Sequence, residues 1–277
     1  MNFSGVYEMQ GLKTALEKKV DSVVAENMAA KPVITQLDCQ DIPGTNCYCD
    51  SLAEEEIGKR IIPFGPEGLH FLDSGNYHYL TKLWLELVKE PFELLVFDHH
   101  TDMQRPAFGG ILSCGSWIRE ALETNENLKH VILVGPPQPA MEETKKELAE
   151  DGEELLGKVI WISEEEFLRN VEKPDWIQKL CGQCNVTGTE ADEKELLPLY
   201  ISIDKDVLPE SEGKTNWDQG NVVLEQVLHF IDVYMQQTPG RQLIGMDICG
   251  EDPESDNEEV QTVCRKTSEK ICGFFLC

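Results

Sequence analysis

Short apolar runs alternate with longer amphipathic stretches along most of the chain. Seven of these runs are rich in β-branched and aromatic residues and lack the strict alternation of a half-exposed strand. This pattern predicts strands that are covered on both faces, as in a parallel sheet. The runs lie at residues 32–38, 68–73, 92–98, 130–135, 158–163, 198–204 and 241–247.

Between the runs, apolar residues recur at spacings of three and four, which is typical of amphipathic helices. The helical stretches cover residues 79–90, 115–125, 140–157 and 222–237. Pro239 and Gly240 follow the last of them and predict its end. Ser255 and Glu258 have the spacing of a capping box, which predicts the start of a C-terminal helix.

The alternation of strand and helix predicts an α/β fold in which a mostly parallel sheet carries helices on both faces. No break in composition divides the chain, so we expect a single domain over residues 1–277. The acidic stretch at residues 185–197 predicts a surface loop.

The charge balance narrows the choice of partners. The chain has 51 acidic and 24 basic residues, which gives a formal net charge of −27. Such a field repels phosphate backbones and anionic lipid, which argues against nucleic acid and membranes as partners. It attracts metal ions and small guanidinium or amine substrates, although a solubilising surface accounts for much of the excess as well.

Targeting signals and cysteines point to a reducing compartment. No apolar run reaches the roughly 18 residues of a membrane span, and the N-terminus lacks a basic segment followed by an apolar one. We therefore expect a cytoplasmic protein whose ten cysteines are mostly reduced and buried. The alternative is a structural zinc site formed by Cys47, Cys49, Cys181 and Cys184.

Carboxylates and imidazoles follow two of the predicted strands and one Gly-Asn turn. They are His78, Asp98, His100, Asp102, Asp204 and Asp206. In an extended chain alternate residues share one side, so DHHTD and SIDKD each present their acids together. Because sites in open parallel sheets lie at the carboxyl ends of strands, these stretches predict one shared site.

Convergent carboxylates repel one another at low dielectric unless cations compensate them. Two divalent cations match the charge of the four aspartates, and each imidazole can complete one metal position. A set of oxygens and nitrogens without a thiolate suits Mn²⁺, with the ions held roughly 3.5–4 Å apart. Taken singly, each motif is also compatible with solvated surface acids or, for His78, with a core histidine.

These motifs resemble those of the arginase and agmatinase (ureohydrolase) family. DHHTD is similar to the family's DAHxD motif, SIDKD to its SxDxD motif and SGNYHYL to its GGDHS element. GMDICGEDP follows as a GxDI element, so the resemblance spans about residues 65–255. It implies a three-layer α/β/α sandwich around an eight-stranded, mostly parallel sheet, the fold that arginases share with deacetylases.

The resemblance also implies the ligands and the reaction. All six family ligand positions are present, at the residues named above. The implied activity is hydrolysis of a C–N bond in a small guanidine, amidine or formimino compound by a metal-bridging hydroxide. Asp102 would handle the proton, or would serve as a ligand only. A homo-oligomer is compatible with the resemblance.

Substrate motifs depart from the family pattern. The family's guanidinium-binding glutamate falls at Gly250, with Glu251 one residue later, and the histidine that follows DAHxD in arginases is missing. Arginine specificity therefore does not follow. The remaining candidates for substrate contacts are Arg105, Ser116, Trp217, Asp218 and Glu251. Arg105 could clamp a carboxylate or lie at the surface, and Trp217 and Asp218 could line the pocket or form a cap and turn.

Two other functions remain open at this point. A zinc-type deacetylase or amidohydrolase on the same fold would use a single ion held by an aspartate, a histidine and a second aspartate. A metal-holding protein without catalysis would explain the altered substrate motifs. The intact set of six ligand positions favours the binuclear hydrolase over both.

Overall fold

The computed structural model describes residues 1–27, 32–107, 109–151, 154–184 and 196–276. Within these ranges the strands are β1 (Tyr48–Cys49), β2 (Gly68–Phe71), β3 (Phe92–Phe97), β4 (Leu112–Ser113), β5 (Leu128–Val134), β6 (Val159–Ile162), β7 (Leu199–Asp204) and β8 (Leu243–Cys249). The helices are α1 (Val6–Gln10), α2 (Leu12–Asn27), α3 (Ser51–Ile61), α4 (Leu80–Leu85), α5 (Trp117–Thr124), α6 (Gln138–Asp151), α7 (Glu164–Asn170), α8 (Pro174–Cys184), α9 (Leu224–Gln236) and α10 (Glu258–Phe275).

Six parallel strands form the central sheet, in the order β2-β8-β7-β3-β5-β6. The two remaining strands, β1 and β4, form a small antiparallel pair of their own. The three neighbours β8, β7 and β3 lie inside the sheet and carry the predicted acidic motifs at their carboxyl ends. Ser202 of β7 pairs in register with Asp247 of β8, and Asp204 pairs with Cys249.

Helices cover both faces of the sheet, and this is why β3 and β7 are buried throughout. Leu94 and Val96 belong to one apolar cluster, which also contains side chains of α3, α4 and α5. Leu95 and Phe97 face the other way, into a cluster with side chains of α7, α8, α9 and α10. The three-layer α/β/α sandwich is therefore confirmed.

The strand count is the main correction to the expected fold. The central sheet has six strands among the described residues, where eight were expected. Six of the seven predicted strands are confirmed. Residues 32–38 do not form one, because this segment makes only an isolated bridge from Asp38 to Asn2, and Val33 is largely exposed.

Helix boundaries also differ from the pattern. The stretch 79–90 is helical only in α4, because i to i+3 hydrogen bonds tighten the chain at Leu87 and Val88 before Pro91. The C-terminal helix is capped by Asn257 rather than by Ser255. The predicted acidic loop lies almost entirely outside the described residues.

The N-terminal helices α1 and α2 were not predicted. They pack against α10 and beside β2, which is the edge strand of the sheet. Asp73 anchors this segment, since its carboxylate accepts hydrogen bonds from the backbone of Phe3 (2.8 Å) and Ser4 (2.9 Å), and from the Ser4 hydroxyl (2.6 Å). Across the described part of the chain, no helix combines the length and apolar character needed to cross a bilayer.

A buried ion pair closes the amino end of the sheet, opposite the acidic motifs. Glu93 of β3 pairs with Arg241, and both side chains are fully buried. Arg241 also donates to the Leu197 carbonyl (2.7 Å) and to the Tyr234 hydroxyl (2.9 Å). Burial lowers the pKa of Arg241 to about 10, so the guanidinium remains charged at neutral pH and requires its partner.

Removing one member of this pair should be far more damaging than removing both. Glu93→Ala leaves a buried guanidinium without a counter-ion and is expected to lower the free energy of unfolding by about 3–5 kcal/mol. Glu93→Leu combined with Arg241→Met should recover much of that loss. Urea unfolding of the three proteins measures the difference, and a single-variant cost below about 1 kcal/mol would contradict the assignment.

His70 should make stability depend on pH. Its ring stacks on Trp84 with centroids 3.8 Å apart, and Nδ1 lies 3.0 Å from the Tyr200 hydroxyl. Burial lowers the pKa of His70 from 6.5 to about 4, so the unfolded chain binds the proton first as the pH falls. Stability from the neutral ring is therefore present above about pH 6.5 and is lost toward pH 4.

His70→Phe keeps the stacked ring and removes the titration. The wild type should lose about 2–3 kcal/mol more than this variant between pH 6.5 and pH 4, measured as the difference of two urea-unfolding series. The other histidines are common to both proteins and cancel in that difference. Parallel pH profiles would show that His70 does not titrate in this window.

Candidate metal centre

The carboxyl ends of two neighbouring strands supply most of the predicted ligands. Asp98 follows β3 directly, and Asp204 is the last residue of β7, its neighbour in the sheet. Asp206 lies in the single 3₁₀ turn after β7, and His78 follows a similar turn at residues 75–77. The aspartates and His78 are almost completely buried, while His100 keeps about a third of its side chain exposed.

Three carboxylates surround one nitrogen of His78. Its Nδ1 lies 3.1 Å from Asp98 Oδ2, 3.2 Å from Asp102 Oδ2 and 3.5 Å from Asp204 Oδ2. None of these contacts has hydrogen-bond geometry, and both His78 Nδ1 and Asp98 Oδ2 are buried without a hydrogen-bond partner. The four atoms converge on a common point without bonding to one another.

A second group forms around His100. Its Nδ1 lies 2.8 Å from Asp206 Oδ2 and 3.6 Å from Asp98 Oδ1. Asp98 thus turns one oxygen toward each imidazole and links the two groups. All six predicted ligands are brought together, although they come from three separate parts of the chain.

Hydrogen bonds from the protein hold the carboxylates in place. Asp204 Oδ1 accepts from the backbone N–H of Asp206 (2.9 Å), and Asp206 Oδ1 accepts from that of His99 (2.9 Å). Asp102 Oδ2 accepts from Trp117 Nε1 (2.7 Å). Asp102 also has a φ of 48°, a left-handed conformation that turns its side chain back toward the strand ends.

The contact of His78 Nε2 with Ser202 fixes the tautomer of the imidazole. Ser202 Oγ donates its single hydrogen to Asp247 Oδ1 (2.6 Å), so the contact with His78 Nε2 (2.9 Å) must use the imidazole N–H. In the neutral ring Nδ1 then carries a lone pair directed at the three carboxylates. That arrangement is repulsive unless a cation lies between them, and metal-binding histidines commonly have this kind of outer partner.

The ionisation of the cluster reflects the same crowding. Burial and the nearby Asp98 raise the pKa of Asp102 to about 7, and burial together with Asp204 raises the pKa of Asp206 well above its usual value. Burial alone would lower the pKa of His100, but Asp206 and Asp98 outweigh it and raise the value to about 12. Without added cations, the buried acids can be compensated only by protons.

The donor set therefore fits divalent metal ions. Two groups of predicted ligands have donor atoms within 4.8 Å of one another: His78 with Asp98 and Asp102, and Asp98 with His100 and Asp206. Unpartnered buried atoms in the first group provide an independent sign that a cation belongs there. Oxygen and imidazole donors suit first-row divalent ions.

A cavity of about 270 Å³ leads from the surface to these carboxylates. Besides the acids and His100, its wall includes Gly75, Gln104, Ser113, Cys114 and Trp217. No lysine or arginine is among the wall residues in the part of the chain that the structure describes. The cavity is therefore strongly negative and offers no counter-ion for an anionic group of a ligand.

Two glycines allow this close approach. A Cβ on Gly75 would lie 3.0 Å from Asp204 Oδ2 and 2.9 Å from the Trp217 ring. Gly250 has a φ of 92°, and a Cβ there would lie 2.4 Å from Asp204 Oδ1. The position at which the family carries its glutamate therefore has no room for a side chain here.

Glu251, a candidate for substrate contact, is not among the residues that line the cavity. Its carboxylate points away from the cavity and pairs with Lys205, which also donates to Ser268 (2.7 Å). Gln10 donates to its second oxygen (2.7 Å). Glu251 and Lys205 are both fully buried, so this carboxylate ties the turn after β7 to α10 and the N-terminal segment.

The other substrate candidates divide between the cavity and its surroundings. Trp217 lines the cavity, packs edge-on to His100 and donates to Asn76 (2.9 Å). Ser116 is buried behind the wall and bonds to Ser113, which does line the cavity. Asp218 lies in an adjacent groove that shares His100 and Gln104 with the cavity.

Arg105 does not reach the cavity as a carboxylate clamp. Its side chain is half exposed on the adjacent groove and is held by Asp151 (2.8 Å) and Glu150 (3.3 Å). Because both partners are acidic and outside the cavity, the guanidinium is already neutralised there. Arg105 therefore lies at the surface, the second of the two positions that the sequence left open for it.

The cysteines of the alternative zinc site do not come together. Cys49 belongs to the apolar cluster on one face of the sheet, and Cys181 belongs to the cluster on the other. The side chain of Cys184 lies outside the described residues. No disulfide joins the cysteines whose side chains the structure describes.

Three residues of the site were missed from the sequence. Trp117 and Ser202 bond to predicted ligands from within the core, and Cys249 Sγ lies 3.1 Å from Asp204 Oδ2. A signal existed for Cys249, because it follows Asp247 by two residues and so shares its side of β8. Nothing in the local pattern distinguishes Trp117 or Ser202 from ordinary core residues.

The α/β/α sandwich is the arginase/ureohydrolase fold, as comparison with solved structures shows. Formimidoylglutamase from Bacillus subtilis is 16% identical, with a TM-score of 0.59 over 95% of this chain and 80% of that one. The agmatine ureohydrolase of Thermoplasma volcanium is 15% identical, with a TM-score of 0.58 over 94% and 83%. A triple mutant of the T. brucei arginase-like protein bound with Mn²⁺ is 17% identical, with a TM-score of 0.56 over 90% and 70%.

Sequence comparison adds a relative at higher identity. An uncharacterized protein of Thermotoga maritima is 35% identical over 184 residues, which are 66% of this chain and 58% of that protein. The chain therefore matches less than two thirds of the relative's length. No family model matches the sequence.

Ser202→Ala should weaken metal binding while leaving the fold intact. The change removes the hydroxyl that orients His78 and that donates to Asp247 Oδ1. Loss of such an outer partner costs roughly 10–100-fold in metal affinity. Titration with a divalent ion followed by calorimetry measures the effect.

Ser163→Ala is the matched control for this change. Ser163 is also a buried serine, but its hydroxyl caps α7 and accepts from Glu166 N. This variant should lose about 1 kcal/mol of stability without a change in metal affinity. Equal metal affinity in all three proteins would exclude an orienting role for Ser202.

Proposed function

We propose that this protein hydrolyses a C–N bond in a small guanidine, amidine or formimino compound with the help of two divalent metal ions, Mn²⁺ being expected. The observation that carries the proposal is the convergence of four buried carboxylates on the imidazoles of His78 and His100. The named fold relatives include a formimidoylglutamase and an agmatine ureohydrolase, which supports this class of reaction.

The ligand assignment follows the two groups of donors. His78, Asp98, Asp102 and Asp204 would hold one ion, and His100, Asp98 and Asp206 would hold the other. Ions bound there would lower the pKa of water and stabilise negative charge that develops on the substrate. The remaining steps depend on side chains of the chain itself.

Asp102 is the candidate for proton transfer. Its carboxylate lines the cavity within the group around His78, so a bound substrate would lie within its reach. Trp117 holds one of its oxygens and so fixes the orientation of the carboxylate. Its position within the ligand group leaves plain ligation as the simpler role, and kinetic analysis of Asp102→Asn addresses that choice.

The cavity favours cationic or neutral substrates. Its described wall carries acidic side chains and no lysine or arginine, and Arg105 is neutralised outside it. Two bound divalent ions would offset the charge of the four aspartates, so the wall would not repel a planar guanidinium or amidinium, whereas a substrate carboxylate would find no cationic side chain to pair with. Trp217 forms an apolar side of the cavity, and Gln104 and Ser113 offer hydrogen-bonding groups.

Metal analysis joined to a product screen tests the proposal. Protein loaded with Mn²⁺ should contain about two ions per chain and release urea, ammonia or formamide from a panel of guanidines, amidines and formimino compounds. Asp98→Ala and Asp204→Ala should each lower metal affinity and turnover by more than about 100-fold, because a ligand matters more than its outer partners. Asp232→Asn, at an exposed aspartate of α9, is the matched control and should change neither.

Each other result points to a different function. A metal-to-protein ratio near zero would contradict the proposal. One bound zinc ion with release of acetate from acylated amines would identify a deacetylase. Two bound ions without any product from the whole panel would identify a metal-holding protein.

A further inference from the structure

A thiol lies inside the proposed metal cluster. Cys249 is the last residue of β8 and pairs in register with Asp204 of β7. It is fully buried, and its Sγ lies 3.1 Å from Asp204 Oδ2, the same oxygen that faces His78. The thiol thus approaches the cluster from the β8 side, where the expected ligand set has no member.

The donor atoms of this corner have the spacing of a metal site. His78, Asp204 and Cys249 each place a donor atom within 4.8 Å of the other two, and all three are buried. Nδ1 of His78 belongs to this group as well and has no hydrogen-bond partner. His78 as a whole is only 1% exposed. An imidazole lone pair, a carboxylate oxygen and a sulfur therefore surround one point in the core.

We propose that Cys249 Sγ is a ligand of the metal ion nearest His78, and that this ion position prefers Zn²⁺ to Mn²⁺. This inference rests on the proposed metal centre and deepens it. Thiolate ligands select softer ions, whereas oxygen and imidazole alone suit Mn²⁺. As the sulfur–metal bond forms, the S–H bond breaks and its proton leaves to the solvent.

Cobalt spectroscopy reports the sulfur directly. Co²⁺ replaces Zn²⁺ in comparable sites, and a thiolate bound to it gives an intense near-ultraviolet charge-transfer band that oxygen and nitrogen ligands do not. Co²⁺-loaded wild-type protein should show this band, and Cys249→Ser should lose it while keeping the weaker visible bands of bound Co²⁺. A thiol that only donated a hydrogen bond to Asp204 would produce no charge-transfer band in either protein.

Two other cysteines provide matched controls. Cys114 lines the cavity with the acids, as Cys47 does, and Cys272 is buried in α10 away from them. Cys114→Ser and Cys272→Ser should both retain the band. Loss of the band in Cys114→Ser with retention in Cys249→Ser would overturn the proposal and identify Cys114 as the sulfur ligand.

Metal preference gives a second readout that does not involve activity. The ratio of Zn²⁺ to Mn²⁺ affinity, measured by competition titration, should fall by about tenfold or more in Cys249→Ser and stay unchanged in Cys272→Ser. An unchanged ratio in Cys249→Ser would overturn the preference. Circular dichroism of each variant verifies that the fold is kept, and if Cys249→Ser does not fold, a wild-type band that both Cys114→Ser and Cys47→Ser retain still assigns the sulfur to Cys249.

The same experiment separates this inference from the proposed function. Visible Co²⁺ bands without a charge-transfer band would reject Cys249 as a ligand and leave the binuclear hydrolase in place. Absence of any bound Co²⁺ in wild-type protein would reject the metal centre itself. Charge transfer that depends on Cys249, in a protein that hydrolyses nothing in the panel, would support the ligand and reject the activity.

Discussion

Mutual repulsion among buried carboxylates is the constraint on which the organisation of this protein depends. Asp98, Asp102, Asp204 and Asp206 are almost completely buried where they line the cavity, and they converge on His78 and His100. Charge of one sign cannot be concentrated at a mostly buried site without a compensating partner. The surrounding structure restrains these acids with backbone N–H groups and an indole, and it leaves one imidazole nitrogen bare among them. A cluster built this way has the donor arrangement of a cation site.

The same constraint explains the changes around the substrate side. Gly250 occupies the position where the resemblance to ureohydrolases predicts a glutamate, and its backbone lies so close to Asp204 that no side chain fits there. The next acid, Glu251, turns inward and pairs with Lys205, which lies in the chain between Asp204 and Asp206. This pair adds no net charge next to the cluster and fastens the ligand turn to α10. The cavity itself therefore has few groups that could recognise more than the reacting part of a substrate.

Much of the fold could be predicted from the sequence because the pattern that indicates a strand lies within one short segment of the chain. Apolar runs that end in acidic residues predict β3 and β7, and the two-residue period of an extended chain places Asp98, His100 and Asp102 on one side. Residues 32–38 gave an equally apolar signal, yet they bridge only to Asn2, since an apolar run does not reveal whether a free strand edge is available. The helices α1 and α2 were missed because their contacts with Asp73 and α10 come from residues far away in the chain.

The sequence by itself determined which side chains could form a cation site and at which strand ends they would lie, because periodicity and order along one segment are local properties. Only the tertiary structure decided that the central sheet has six described strands and that Glu251 meets Lys205. Only the tertiary structure showed that Arg105 lies outside the cavity and that Cys249 lies opposite Asp204. Those outcomes depend on which strands become neighbours and in what register, and packing of the whole chain sets both.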